Sequence, residues 1–362
     1  MTDATDLDLI EARIATLVDH HARVPDGGRV ADACAPTMAA VTKQAIASSE
    51  GGKRLRALLA LAAYDAAEGS ASSHEAMLDL ACAIEVFQTA ALVHDDIIDE
   101  SDLRRGKPSA HRAFANATGS ASIGRGLGIM LGDLLATASV SIAVDAASRL
   151  SEPCGGEGIV PAFLTMHREV ELGQVLDLAV EMTPLDDPAA LADASLNVFR
   201  WKTASYTTIM PIELGLLAAG VETGQARRSA LAVGTPLGIA FQLADDLLDV
   251  TGSSKTTGKP VGGDIREGKR TVLLADALGA ADKGERAELT DAFTAPERDE
   301  AQVHRVMDLF ASTGAIAASR RRIAGLWDEA RTAIDSMALT DAGKALLTGA
   351  CARFIPDDAR PR

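Results

Sequence analysis

With 362 residues, 47% of them hydrophobic, the chain is long enough for one large domain or two ordinary ones and can enclose a cavity as well as a core. Its formal charge of −16 argues against a nucleic-acid partner, because gripping a phosphate backbone needs a basic stripe. Ala and Leu dominate, β-branched runs of period two are scarce, and aromatic residues make up only 3%, so packed helices and an all-α fold class are expected.

The start, MTDATDLDLIEARIATL, is acidic, the wrong charge for a signal or transit peptide. Residues 1–28 are read as an N-terminal extension, and residues 29–362 as a single all-helical domain. Helical periodicity runs from Leu7 to the end, with breaks expected near residues 25–28, 69–73, 105–109, 119–126, 151–158, 183–188, 220–224 and 252–268. None reads as a domain linker. No apolar run is read as reaching the ~20 residues of a membrane span. Cys34, Cys82, Cys154 and Cys351 are scattered without metal-site spacing, which fits a reduced, cytoplasmic protein.

In chain order, the first segment with chemistry is Gly51-Gly52-Lys53-Arg54-Leu55-Arg56, which opens a helical stretch with backbone amides and cations together. That is a layout for an anion, and equally one for ordinary capping plus surface charge. It is not a Walker A loop, since the glycine spacing and the Ser or Thr after Lys are missing. Next comes Leu92-Val-His-Asp-Asp-Ile-Ile-Asp99, followed by Arg104-Arg105-Gly106-Lys107-Pro108, where Gly106 and Pro108 are expected to end the helix and leave two guanidiniums at its mouth. Trp201-Lys202-Thr203 lies in a helix expected to kink at Pro211. Gln242-Leu-Ala-Asp-Asp-Leu-Leu-Asp249 repeats the acidic pattern. A long stretch, Gly252 to Gly268, then carries Lys259 and ends beside Lys269.

The doubled DDxxD dominates the reading. Positions i and i+4 share a helix face, so Asp95 projects with Asp99 and Asp245 with Asp249. Carboxylates that close repel unless a cation lies between them. Each motif sits in a run too apolar for a surface helix, so its carboxylates must line something wet within an apolar wall. Oxygen-only donors suit Mg²⁺, which also binds substrate phosphates. Gln88, Asp95 and Asp99 fall on one face, as do Gln242, Asp245 and Asp249.

Taken in order, GGKRLR, DDIIDESDLRRGKP, LGD (Leu131 to Asp133), GQVLDL (Gly173 to Leu178), KT, FQLADDLLD and GKPVGGD resemble the trans-isoprenyl diphosphate synthases, also called polyprenyl synthetases, from about residue 50 to 275. The resemblance implies the isoprenoid synthase fold, one large helical bundle around a central cavity, a homodimer, and a trio of Mg²⁺ ions. It implies Asp95, Asp99 and Asp245 as metal ligands supported by Asp96 and Asp249. It implies Lys53, Arg56, Gln88 and Arg105 for isopentenyl diphosphate, and Arg104, Lys202, Thr203, Gln242, Lys259 and Lys269 for the allylic diphosphate. Lys202 joins Asp95, Asp99 and Asp245 as catalytic.

The expected reaction joins isopentenyl diphosphate to an allylic diphosphate and releases diphosphate. Two residues separate the paired aspartates from the third, whereas typical bacterial farnesyl diphosphate synthases carry an insertion there. Phe87, Ala90 and Ala91 are read as setting product length: Ala90 and Ala91 are too small to close a tunnel, Phe87 is the first bulky side chain, and geranylgeranyl diphosphate (C20) is the expected product. The alternatives are farnesyl or longer products, a terpene cyclase, which would need an Asn/Ser/Glu motif in place of the second DDxxD, and a non-catalytic regulatory subunit. His94 and His111 are read as structural.

Overall fold

Helical spacing of Ala, Leu and Ile is realised almost throughout the computed structural model, which describes residues 3–150, 156–252 and 261–356. In chain order the helices are α1 (Asp3–His21), α2 (Ala35–Ser49), α3 (Leu55–Ala66), α4 (His74–Ile98), α5 (Ala110–Thr118), α6 (Ala121–Ala147), α7 (Ile159–Val180), α8 (Pro188–Val198), a π-helical stretch Phe199–Ile209, α9 (Met210–Ala218), α10 (Thr223–Thr251), α11 (Gly263–Glu267), α12 (Val272–Ala280), α13 (Lys283–Thr294), α14 (Glu300–Ser312), α15 (Ala315–Asp335) and α16 (Asp341–Ala352). Among the described residues the sheet is one hairpin, β1 (Leu103–Arg104) with β2 (Lys107–Pro108). The fold class is all-α.

The chain divides into two compact units, Met1–Leu164 with Met210–Ala226, and Thr165–Ile209 with Arg227–Arg362. In the first, α4 is the hub, packed by α1, α2, α3, α5, α6 and α9. Residues 1–28, expected to be an extension, supply α1 to this unit: Ile10, Ile14 and Val18 recur every four residues and are fully buried. In the second, α12 packs on α8, α13, α14 and α15, and α13 and α14 each begin with a capping box, Asp282 with Glu285 and Asp299 with Gln302.

Several local expectations need correction. The break at 119–126 shrinks to Gly119 and Ser120, because Ser120 caps α6 by accepting from the Ile123 amide. Gly124 lies inside α6, where the lack of a side chain lets α5 approach, since any Cβ there would run into the backbone at His111 and Ala115. The first acidic helix ends at Ile98 rather than at Gly106. Arg105 (φ 52°) and Gly106 (φ 74°) instead form the two-residue turn of the hairpin, with positive φ at both positions. Pro211 does not kink a helix interior; it lies at the start of α9, and the distortion is the π-helical stretch before it. Part of the stretch 252–268 is ordered as α11.

The expectation that no apolar run reaches span length is also corrected. Ala71–Ile98, Ala121–Ala147 and Thr223–Thr251 are long and apolar enough to cross a membrane by length and composition, because Ala and Gly lengthen these runs between few charges. The apolar stretch of Ala71–Ile98 is 83% buried inside the protein, so its hydrophobicity is spent on packing.

Charges inside this apolar frame are paired. Asp79, 2% exposed, accepts from Arg13 on α1 and from Arg149 after α6. Burial pushes its carboxyl upward, but the Arg13 and Arg149 guanidiniums outweigh that and hold it below the usual carboxylate range. A depressed folded pKa stabilises above the unfolded value of about 4, and that contribution fades as pH falls through the folded value. Asp79→Asn should therefore lower stability at neutral pH by about 1–3 kcal/mol, with the gap to the parent closing at acidic pH, as read by denaturant unfolding at a series of pH values.

Candidate active site

In the first unit, α4 is packed on most sides and opens along one line near its C-terminus. Phe87, Ala90, Val93 and Asp96 are buried, while Gln88, Ala91, Leu92, Asp95 and Asp99 are half-buried. Gln88, Asp95 and Asp99 thus lie on the open face. Asp96 points the other way, 2% exposed, and its Oδ1 accepts from Arg104 Nε at 2.9 Å. The hairpin, by turning at Arg105 and Gly106, brings Arg104 back onto the helix it follows.

Arg105 takes a different direction. Its Nη1 donates to the carbonyls of Glu50 at 2.5 Å and Gly51 at 2.7 Å, and Gly52 leaves room for the guanidinium. Within GGKRLR the three cations separate: Lys53 is exposed, Arg56 is buried, and Arg54 is locked by Glu11 at 2.8 Å and Glu85 at 3.3 Å. Arg54 (φ 48°) and Arg105 (φ 52°) both hold left-handed backbone conformations, which cost free energy for residues bearing a Cβ. Burial, then the neighbouring Arg54 and Arg104 charges, push the Arg105 guanidinium down, although Glu85 and Glu11 pull the other way. Crowded cations in a partly desolvated pocket favour an anion.

On the same helix His94 Nε2 lies 3.2 Å from the Ile129 carbonyl oxygen and 3.4 Å from Asp133 Oδ1, the aspartate of the LGD segment, with Gly132 leaving space for the ring. These contacts tie His94 to α6. His111 is buried beside Ser109, and burial pushes its pKa down.

In the second unit, Asp245 is exposed, Asp246 buried and Asp249 half-buried. Asp249 accepts from the amides of Gly263 at 3.0 Å and Asp264 at 3.1 Å, so it caps α11. A polar chain links the π-helical stretch to the acidic motif: Thr203 Oγ1 donates to Gln242 Oε1, and Gln242 Nε2 to Asp246 Oδ1, both at 2.9 Å. Lys202 Nζ donates to Asp177 Oδ2 at 2.6 Å. Lys269 Nζ lies 2.8 Å from Glu267 and 3.8 Å from Asp264. Burial and then Asp264 push the Asp246 carboxyl well above its ordinary value. Burial pushes Asp264 to about 7, with Lys269 opposing and Asp249 adding to the rise. Lys259 lies outside the described residues.

Gln88, Asp95 and Asp99 are thus brought onto one open face. Thr203 and Gln242 meet directly, whereas Asp96 and Asp249 are turned to structural partners. Reasoning from sequence missed Arg54, Asp133, Asp177, Asp246 and Asp264. Each lies in a segment that had been marked, and spacing alone does not show which partner each meets: Arg54 and Asp246 are buried, Asp177 and Asp264 half-buried, and Asp133 exposed.

The candidate donors are carboxylate oxygens, the type a hard divalent ion takes. Among the described residues no three carboxylate, imidazole or thiolate side chains converge tightly enough to cage an ion by themselves.

Two Asp-rich helical motifs on an all-α fold, each accompanied by cationic side chains, define an enzyme that handles diphosphates. Residues 38–310 match the polyprenyl synthetase family, and the chain belongs to that family. It is therefore a prenyltransferase. It is 31% identical over 297 residues to the geranylfarnesyl diphosphate synthase of Aeropyrum pernix, covering 81% of this chain and 86% of that one. It is 35% identical over 233 residues to the geranylgeranyl diphosphate synthase of Sulfolobus acidocaldarius, covering 64% of each. A solved structure of geranylgeranyl pyrophosphate synthase from Corynebacterium glutamicum, complexed with isoprenyl diphosphate and magnesium, matches with a TM-score of 0.80 and 30% identity over 98% of this chain and 99% of that one.

Because Arg104 neutralises the buried Asp96, Arg104→Ala is expected to lower stability by about 1–3 kcal/mol in addition to any effect on activity. Chemical denaturation without substrates checks this, and an unchanged midpoint would assign Arg104 to ligand alone.

Proposed function

We propose that the chain condenses isopentenyl diphosphate with an allylic diphosphate, in the presence of Mg²⁺, to make geranylgeranyl diphosphate. The observation that carries this reading is the pair of acidic motifs, each with cations at hand: Arg104 on Asp96 with Arg105 next in the chain, and Lys202, whose neighbour Thr203 bonds Gln242, with Lys269 beside Asp264. Two anionic substrates call for two such sets, and a cyclase acting on one diphosphate would not.

In this reading Asp95, Asp99 and Asp245 hold the ions, supported by Asp96 and Asp249, and bound Mg²⁺ supplies charge neutralisation of the diphosphate. Arg104, Lys202, Thr203, Gln242, Lys259 and Lys269 hold the allylic diphosphate; Lys53, Arg56, Gln88 and Arg105 hold isopentenyl diphosphate. The allylic C–O bond breaks with its electron pair leaving on diphosphate, and preorganised cations lower that barrier. The isopentenyl double bond then forms the new C–C bond, and the proton lost from the adjacent carbon goes to the released diphosphate. No protein nucleophile is needed. Apolar walls such as Leu92 and Ala91 beside Asp95 keep water from the cation.

The reading includes a cytoplasmic homodimer. Free thiols at Cys34, Cys82 and Cys351 suit a reducing compartment. Ile123, Met130 and Val144 expose an apolar row on α6 that a second copy would cover.

Asp95→Ala and Asp245→Ala should each cut turnover by several orders of magnitude, since each removes an ion ligand. Their thermal stability should not fall, because Asp95 is half-buried and Asp245 exposed. Near-normal condensation rates with Mg²⁺ in either variant would refute the metal assignment.

For product length, Ala91 lies one turn below Asp95 on the open face, and Phe87, 2% exposed, lies a further turn down. Eight residues place Phe87 ~12 Å along the axis from Asp95, room for about three isoprene units before the last addition. Phe87→Ala should shift products beyond C20 and Ala91→Phe should shorten them, as read by mass spectrometry of dephosphorylated products. Losing a buried ring costs about 3–5 kcal/mol, so the assay belongs at low temperature. An unchanged C20 product from Phe87→Ala would place the floor on another helix.

A further inference from the structure

A π-helical stretch is less favourable than an α-helix of the same length and persists where packing imposes it. In Phe199–Ile209 the close contacts come from Gly234 and Gly238 of α10, packed on Ile209 and Ala204, and from one line of α7. Glu169, Gly173 and Asp177 follow at four-residue spacing and so share a face. Glu169, 6% exposed, accepts from Ser205 Oγ at 2.7 Å and from Arg200 Nη1 at 3.2 Å. At Gly173 a Cβ would strike the backbone of Trp201 and Lys202, so only glycine admits this approach. Asp177 receives the Lys202 ammonium.

The pair Arg200 and Ser205 is diagnostic. Residues five apart in an α-helix point ~140° apart and cannot converge on one small group. In a π-helix the i→i+5 turn stacks them. Both reach Glu169, Arg200 Nη1 also donates to Ser205 Oγ at 2.9 Å, and Ser205 Oγ lies 3.3 Å from the Arg200 carbonyl. Arg227 on α10 completes the carboxylate's shell at 2.5 Å. Burial pushes Glu169 upward, yet the Ser205 hydrogen bond and the Arg227 and Arg200 charges outweigh it, so the group is ionised. The same stretch carries Lys202, turned to Asp177 on that α7 line, and Thr203, turned to Gln242 on α10.

We propose that Glu169 is a positioning residue that holds Phe199–Ile209 in its π-helical register and thereby sets where Lys202 and Thr203 stand toward the allylic diphosphate. This rests on the reading of those two residues as part of the allylic clamp. Without the Glu169 bridge the stretch relaxes toward α-helical winding, and Lys202 and Thr203 turn away from Asp177 and Gln242.

Two variants separate the contributions. Glu169→Gln keeps the shape and an acceptor for Ser205 while removing the charge; Ser205→Ala keeps the charge and removes the five-residue bridge. Steady-state kinetics with both diphosphates, melting temperature, and the acetylation rate of Lys202 in the free enzyme by mass spectrometry are measured together. Glu169→Gln should raise the Michaelis constant for the allylic diphosphate at least about tenfold, leave that for isopentenyl diphosphate within about twofold, and change Lys202 acetylation about threefold with Lys53 unchanged. Ser205→Ala should move the same quantities in the same direction by less, and it carries the test if Glu169→Gln does not fold. Parallel changes in both Michaelis constants, or a lowered melting temperature with unchanged Michaelis constants and Lys202 reactivity, overturn the proposal. If the parent protein fails to join the two diphosphates, the proposed function falls, and Lys202 reactivity alone decides the positioning role: a changed rate upholds it and an unchanged rate overturns it.

Discussion

A charge placed in an apolar helix must find its opposite, and this requirement organises both units. α4 buries almost every side chain from Ala76 to Ala90, yet it carries Asp79, Glu85 and Asp96 inside that environment. Each is met by arginine from another element: Arg13 and Arg149, Arg54, and Arg104. A buried ion pair adds little net stability over an apolar pair, but losing one partner is costly, so these pairs fix the arrangement more than they strengthen it. Arg54 ties the start of α3 to α4 and α1, and Arg104 ties the hairpin to α4. The cations next to the open carboxylates are therefore set in place by carboxylates that are not open.

The second unit applies the same requirement to α10. Asp246 accepts from Gln242, but its burial and the nearby Asp264 charge outweigh that bond and hold its carboxyl well above the ordinary value. Asp249 is answered by two backbone amides. Asp245 is the exposed one of the three. One DDxxD motif thus divides into three roles according to the direction in which each residue points around the helix.

Much of this was legible in the sequence. The spacing of Gln88, Asp95 and Asp99 placed them on one face, and the same rule separates Asp96 by about 100°. What spacing does not encode is which neighbour arrives at the other face, so Arg104 as the partner of Asp96, and Arg54 as the buried member of GGKRLR, required the fold. The hairpin escaped because Arg-Gly is an uncommon pair for a turn with two positive φ angles. The π-helical stretch escaped because it depends on Glu169, some thirty residues upstream of Arg200, and not on local propensity. Helical content and the acidic motifs are local properties and were readable; burial is a property of the whole chain.

The cap on α11 has a further consequence. Five residues cannot hold a helix unaided in water, because nucleation is not repaid over so short a length. α11 begins where the Asp249 carboxylate collects its first amides. In the proposed reading that carboxylate, the last of the second acidic motif, also supports the metal ions, so its lone pairs would be shared between a backbone and a cation. Sharing of this kind is reciprocal: a ligand that draws charge from Asp249 loosens the cap, and release of the cap returns acceptor capacity to the ligand by the same factor. Local order and occupancy are thereby two readings of a single equilibrium, written on one side chain.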